Sequence, residues 1–399
     1  MNKLANIDVV FHIGQHKSGT TYLQNRFSEN YEILSEKYNL LFPKTGFLQP
    51  SDNTGRPKAS PGHQGIMRAI LDRNAFKLRS LHNEIESSNA HTVLISCENF
   101  CHPLDSIDLR QAKHARVLNF SKNFKSCRVI YVLRSPEEYL EKMFVEQICS
   151  HNVREQRDIH SFIEQEKDKL FDLSGQLMPW DTIATSKLEI HLYDQLNKSN
   201  DYLNNFLSLI VFPDKAELQS PKINSSLNDI IYSSPDTQKV EFIRLINMLI
   251  SNKFRRRKIK KEILSLEFSS TEQKNYSFLS PEIKISYLEA FLEKNKQFSE
   301  KFELGLENYV AEKKTSIANQ EWRSLDAINH NYIKLVESII DTNISSNFLN
   351  QINFFGKSLY RFSVKSKRAI VSSLFFLLSI FSSVHFYAIR FIRKNLYKK

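Results

Sequence analysis

The chain is poor in the residues that make turns, staples and stops: 9 glycines, 11 prolines, 4 cysteines and 2 tryptophans among 399 residues. So little glycine and proline excludes a collagenous or low-complexity chain. An apolar share of 41% with 25% charged residues excludes a largely disordered one. Cys97, Cys101, Cys127 and Cys149 provide neither the density of a disulfide framework nor paired CxxC spacing for zinc, so a reducing compartment is expected. Cys97 and Cys101 read either as a redox pair or as buried thiols. Residues 1–8 are too short and polar for a secretory signal, and the apolar run that follows is only strand-length, so export is not expected.

Charge of one sign is plentiful, and it is unevenly placed. The formal charge is +11, yet the last acidic residue is Asp341, and ten of the 55 basic residues follow it, from Lys357 to Lys399. Residues 1–356 hold 45 basic against 44 acidic groups and are nearly neutral. Within the tail, residues 369–389 carry no formally charged side chain and are long enough to span a bilayer. Helical spacing gives a second reading. Arg361, Lys365, Arg368, Ser372, Ser379, Ser383, Arg390 and Lys394 share one stripe, opposite Val371, Leu374, Leu377, Leu378, Phe381 and Val384. An amphipathic helix lying in an anionic membrane surface and a spanning helix with a serine-lined face both remain open.

Continuous apolar, β-branched runs at 8–13, 92–96, 128–133 and 187–193 alternate with long helical patterns. That alternation predicts an α/β fold, a parallel sheet covered by helices on both faces in three layers. Residues 46–65 hold four of the nine glycines and three prolines and predict a long loop, either a lid or a surface excursion. Helical periodicity at 241–250, 281–309 and 322–340 predicts a mostly helical C-terminal half. The basic run 255–261 lacks interleaved aromatics and predicts a solvated helix face, with no nucleic-acid partner. Three parts are expected: a domain over 1–310, a helical extension over 311–356 and the tail over 357–399.

The most informative segment runs from Val9 to Gln24. A buried strand ends at Gly14, a short loop follows, and Thr20 or Thr21 opens a helix, whose free N–H groups form an anion site. Gly14-xxxx-Gly19-Thr20-Thr21 overlays the nucleotide-binding P-loop pattern, except that the lysine stands inside the loop at Lys17 instead of after Gly19. A lysine there suits a single 5′-phosphate and its bridging oxygen better than a triphosphate with Mg²⁺.

At His16-Lys17-Ser18-Gly19-Thr20-Thr21, followed by Leu23-Gln24, the sequence resembles the sulfotransferases that use 3′-phosphoadenosine 5′-phosphosulfate (PAPS), in the form seen in bacterial carbohydrate-type members. The resemblance implies a P-loop-type core with PAPS as co-substrate and His16, Lys17, Ser18, Gly19, Thr20 and Thr21 around its 5′-phosphosulfate. It implies a 3′-phosphate site at Arg134, which ends the strand Val129-Ile130-Tyr131-Val132-Leu133. Eight residues on, the family has serine and this chain has Lys142, which can still neutralise a phosphate. Lys17 would stabilise the departing phosphate oxygen. Glu98, just past the strand 92–96, would be the base, with His102 and His16 as reserves. Weaker echoes lie at Trp180 with 188–194, at 222–227, and in the helix pair at 281–309. The expected acceptor is a hydroxyl on a carbohydrate or lipid-linked glycan, handled at the cytoplasmic face of the inner membrane, with no metal. Two other readings stand beside it: a nucleoside triphosphate-dependent kinase or ATPase, and a non-catalytic membrane-binding adaptor.

Overall fold

The computed structural model describes residues 3–47, 61–198, 201–212, 235, 237–265 and 277–319. The tail, the segment 222–227, the periodic stretch 322–340 and most of the glycine-rich loop lie outside the described residues.

Five strands form one parallel sheet: β1 (Asp8–His12), β2 (Leu40–Leu41), β3 (Thr92–Ser96), β4 (Ser126–Leu133) and β5 (Glu189–Leu192), in the order β2-β3-β1-β4-β5. The helices are α1 (Thr20–Glu29), α2 (Tyr31–Tyr38), α3 (Gln64–Asp72), α4 (Ala75–Ser87), α5 (Ile107–Ser121), α6 (Pro136–Cys149), α7 (Ile159–Leu170) and α8 (Leu173–Asp181). They continue with α9 (Tyr193–Leu196), α10 (Tyr202–Val211), α11 (Thr237–Leu249), α12 (Lys253–Ser265), α13 (Pro281–Phe302) and α14 (Leu306–Ala318). The expected α/β class and parallel sheet are therefore present. The four predicted strands appear within a few residues of their expected limits, while β2 is a two-residue strand that carries no periodic signal.

The sheet forms because its strands are apolar on both faces: Val9, Val10 and Phe11 of β1, and Val129 to Leu133 of β4, are buried. One cluster beside it gathers Val10, Leu94, Ile130 and Val132 with Leu23 and Phe27 of α1 and Leu203, Phe206, Leu207 and Ile210 of α10. The α10 positions recur at helical spacing, which turns one apolar stripe onto the sheet. β1 lies at the centre. The chain leaves it for the edge at β2, returns to β3 on one side, and crosses to β4 on the other. The carboxyl end of β1 is thus the switch point of the sheet, where ligands of such folds bind.

The chain divides into two compact units, Met1–Met143 with Ile163–Ser233 and Glu282–Ala318, and Phe144–Phe162 with Ser234–Pro281 and Asn319–Lys399. The first holds the sheet. In the second, α12 corrects the expectation of a fully solvated basic face: Arg256 and Lys260 are buried beside Ile259 and Ile263. Arg256 Nη1 donates to Ile250 O and Ser251 O (3.0 Å each), and Lys260 Nζ to Ile148 O and Ser150 O (2.8 Å each). These cations satisfy carbonyls at and just beyond the C-terminal ends of α11 and α6, where helices leave acceptors unpaired. Burial lowers the Lys260 ammonium to about 8. Among the described residues, no helix is long and apolar enough to cross a membrane.

Candidate functional site

Every site residue expected from the sequence lies at or just beyond the carboxyl edge of the sheet. Loop 13–19 continues the β1–β4 ladder: Ile13 N donates to Ile130 O (3.0 Å) and Gln15 N to Val132 O (3.3 Å). Gln15 Oε1 in turn accepts from Arg134 N (2.7 Å), which stitches the loop to the end of β4. The loop carbonyls are then tied down one by one. Gln15 O accepts from Ser18 N (3.2 Å) and Ser18 Oγ (2.7 Å), Lys17 O from Arg134 Nη1 (2.7 Å), and Ser18 O from Tyr202 Oη (2.7 Å).

With the carbonyls of Gln15, Lys17 and Ser18 occupied, the loop delivers the start of α1. Helices α4, α5, α8 and α10 are closed by the side chains of Asn74, Ser106, Asp172 and Asp201, whereas α1, whose N-cap is Gly19, has no side-chain cap, as is also true of α2, α3 and α9. The first-turn N–H groups of α1 are open to an anion. Gly19 has φ 80°, and a β-carbon there would meet the Tyr202 ring at 2.8 Å, so both backbone and space require glycine. Lys17, also left-handed at φ 65°, is exposed, while Ser18 and Thr20 are buried.

Beneath the loop lies a chain of polar contacts that the sequence reading left without a role. Gln24 Nε2 donates to Glu98 Oε2 (3.3 Å) and to Ser96 Oγ (3.2 Å), and Ser96 Oγ lies 2.9 Å from His12 Nδ1. With the Ser96 hydroxyl donating to Nδ1, the imidazole proton sits on Nε2. Among the described residues that Nε2 has no hydrogen-bond partner, and it lies under Gly14, where a β-carbon would meet it at 2.9 Å and Thr20 Oγ1 at 3.0 Å. Burial pushes His12 down to about 3, so it is a neutral donor at physiological pH.

At the end of β4, Arg134 donates from Nε (3.0 Å) and Nη2 (2.7 Å) to Glu138 Oε2, and its guanidinium lies 4.7 Å from the Tyr193 ring centre. Burial pushes Glu138 up, but Arg134 and Lys313 together hold it below the usual carboxylate range. Lys313 Nζ stands 3.7 Å from Glu138 Oε1 and 2.8 Å from Asp194 Oδ2, which also accepts from Tyr309 Oη (2.6 Å). Lys142 is half-buried, one turn beyond Glu138 on α6. Burial lowers it first, and then the nearby charges of Arg134 and Lys17 lower it further. Glu138 and Glu141 act in the opposite sense and raise it, so the cations of this edge are interleaved with carboxylates.

Two of the three base candidates occupy one segment, and His16 reaches it from loop 13–19. Glu98 opens a 3-10 turn (Glu98–Cys101) just after β3. His102 follows, its Nδ1 accepting from Leu104 N (3.2 Å) and its ring meeting His16 edge-to-face at 4.5 Å. Buried Lys113 holds the segment by donating to Asn99 O and to Asp105. His63 braces the other flank: Ser96 N donates to its Nδ1 (2.9 Å), and its Nε2 donates to Pro43 O (2.7 Å). The glycine-rich loop starts and ends here, since Gly65 N donates to Gly46 O (2.9 Å) and a β-carbon at Gly62 would strike Gln24.

All four cysteines are free. Cys97 and Cys101 are buried thiols, and burial pushes them and Cys127 up. Among the described residues no group of three or more His, Cys, Asp or Glu side chains is placed to hold a metal. The signal for Ser96 was available as a polar residue closing the apolar run 92–96, whereas Gln24 stands between Leu23 and Asn25 with no such signal. Glu138, Tyr202 and Lys313 come from separate segments and carry no local pattern. Comparison of the chain with protein-family models, with curated proteins and with solved structures gives no match.

Proposed function

We propose that the chain is a PAPS-dependent sulfotransferase with a P-loop-type core, transferring a sulfuryl group to a hydroxyl of a carbohydrate or lipid-linked glycan at the cytoplasmic face of a membrane. The observation that carries this reading is the pairing of an uncapped helix start, preceded by Lys17 in its loop, with a second pair of cations, Arg134 just past the neighbouring strand and Lys142 on α6. Two separate anion sites suit a nucleotide with phosphates at 5′ and 3′. The group fits the residues: the buried His12 Nε2 lacks a partner on the underside of the loop, and the α1 amides lack a cap.

In this reading the amides of Gly19, Thr20 and Thr21, with the Ser18 and Thr20 hydroxyls and His16, hold the 5′-phosphosulfate. Arg134 and Lys142 hold the 3′-phosphate. Glu98 takes the proton of the acceptor hydroxyl as its oxygen bonds to sulfur, with His102 and His16 in reserve. The sulfur–oxygen bond to the 5′-phosphate breaks, its electrons stay on the phosphate oxygen, and Lys17 neutralises that oxygen. The products are a sulfate ester and 3′,5′-ADP. The tail of 357–399 is proposed to hold the enzyme at an anionic membrane surface.

Calorimetry of the full chain with 3′,5′-ADP and with Mg-ATP tests the reading. The expected result is binding of 3′,5′-ADP, weakened on the order of tenfold or more by Lys17→Ala. Tight Mg-ATP binding without 3′,5′-ADP binding would favour a kinase or ATPase, and binding of neither would favour an adaptor.

A further inference from the structure

The outer side of α12 has a different character from its buried side. Phe254, Lys258 and Lys261 are spaced by four and three residues, share one helical stripe and are all exposed, with Lys253 and Arg255 exposed beside them. The Phe254 ring is 79% exposed, among the most exposed large apolar side chains described. The opposite stripe, Arg256, Ile259, Lys260 and Ile263, is buried, and its two cations bind helix-end carbonyls. The helix is thereby fixed by one face, and the other presents a row of cations led by an aromatic ring. Its single acidic residue, Glu262, stands one turn after Lys258 at the border of the stripe and is half-buried.

We propose that this stripe is a contact for an anionic lipid surface, with Phe254 entering the boundary between headgroups and acyl chains and Lys258 and Lys261 lying against the headgroups. Cations on a helix gain about 1 kcal/mol each beside an anionic leaflet, and an inserted phenylalanine adds the free energy of leaving water. Charge complementarity selects the surface, and the lone ring selects lipid over nucleic acid. Single-stranded nucleic acid is held by several aromatic faces set between cations, and this stripe has one ring at its end. The contact is separate from the tail and does not depend on the sulfuryl-transfer reading.

The test uses the full chain and Phe254→Trp, with fluorescence measured against the unsubstituted chain. Vesicles are phosphatidylcholine alone or mixed with phosphatidylglycerol, with brominated acyl chains as quenchers. The added indole should be quenched in the mixed vesicles and not in phosphatidylcholine alone. Adding Lys258→Gln and Lys261→Gln should weaken that quenching roughly 30-fold in lipid concentration, from two lost headgroup contacts. No quenching in mixed vesicles, even where the chain sediments with them through its tail, overturns the proposal. So does quenching unchanged by the two lysine substitutions, or an indole that responds to a single-stranded oligonucleotide and not to vesicles.

Discussion

Glu138 closes the guanidinium fork of Arg134: one carboxylate oxygen accepts from both Nε and Nη2, while the other faces Lys313 at 3.7 Å. The proposed 3′-phosphate centre is therefore held by a carboxylate from its own helix, and an incoming phosphate must displace it. Lys313 gives the displaced carboxylate somewhere to go.

Removing the competing charge should help the ligand. Glu138→Gln is expected to tighten 3′,5′-ADP binding about tenfold, because a charge-assisted bond no longer has to be exchanged. Calorimetry on the two proteins checks this. Weaker binding by the variant would mean that Glu138 positions the fork instead of occupying it.

The base is separable by kinetics. Glu98→Gln should lower kcat by roughly 10²–10⁴ while leaving the affinity for 3′,5′-ADP unchanged. His102→Asn should lower kcat far less. If the two effects are reversed, the histidine pair formed by His16 and His102 holds the base.

Gly19→Ala places a β-carbon against Tyr202 on a backbone at φ 80°. The expected cost is about 1–3 kcal/mol of stability, with loss of nucleotide binding, read from the thermal midpoint with and without 3′,5′-ADP. Tyr202→Phe keeps the ring, loses the bond to Ser18 O, and should cost only about 1 kcal/mol.

Burial, opposed by the bond to Pro43 O, lowers His63 to about 4, and burial lowers His12 to about 3. Both are neutral in the folded chain at pH values where the unfolded chain binds protons on them, below about 6.5. Unfolding takes up protons there, so stability should fall as pH drops from about 6.5, through 4 for His63 and down to 3 for His12. Denaturant titrations across that window should show a slope reduced by nearly one proton in His63→Gln. An unchanged slope would refute the assignment.

The sheet and the loop were readable in the sequence because each is local. β1 and β4 are unbroken apolar runs, and the loop is set by two glycines at fixed spacing. That Arg134 follows a strand was readable because the run 129–133 is apolar. Its partners were not, since Glu138 looks like any helix-surface acid until Lys313, in the last described helix, is folded beside it. The basic run misled for a related reason: composition reports charge, not direction. Ile259 and Ile263 point inward, and their spacing carries Arg256 and Lys260 in with them.

The ring of charges from Arg134 through Glu138 and Lys313 to Asp194 also orders events during synthesis. Once Val211 has emerged, the growing chain holds all five strands and the phosphate loop, yet Glu138 and Asp194 still lack Lys313. The last cation reaches them only with α14, so a chain halted before Leu306 would carry an assembled sheet with two under-neutralised carboxylates at its ligand edge. The proposed 3′-phosphate centre would then be completed late, near the end of the first unit's synthesis.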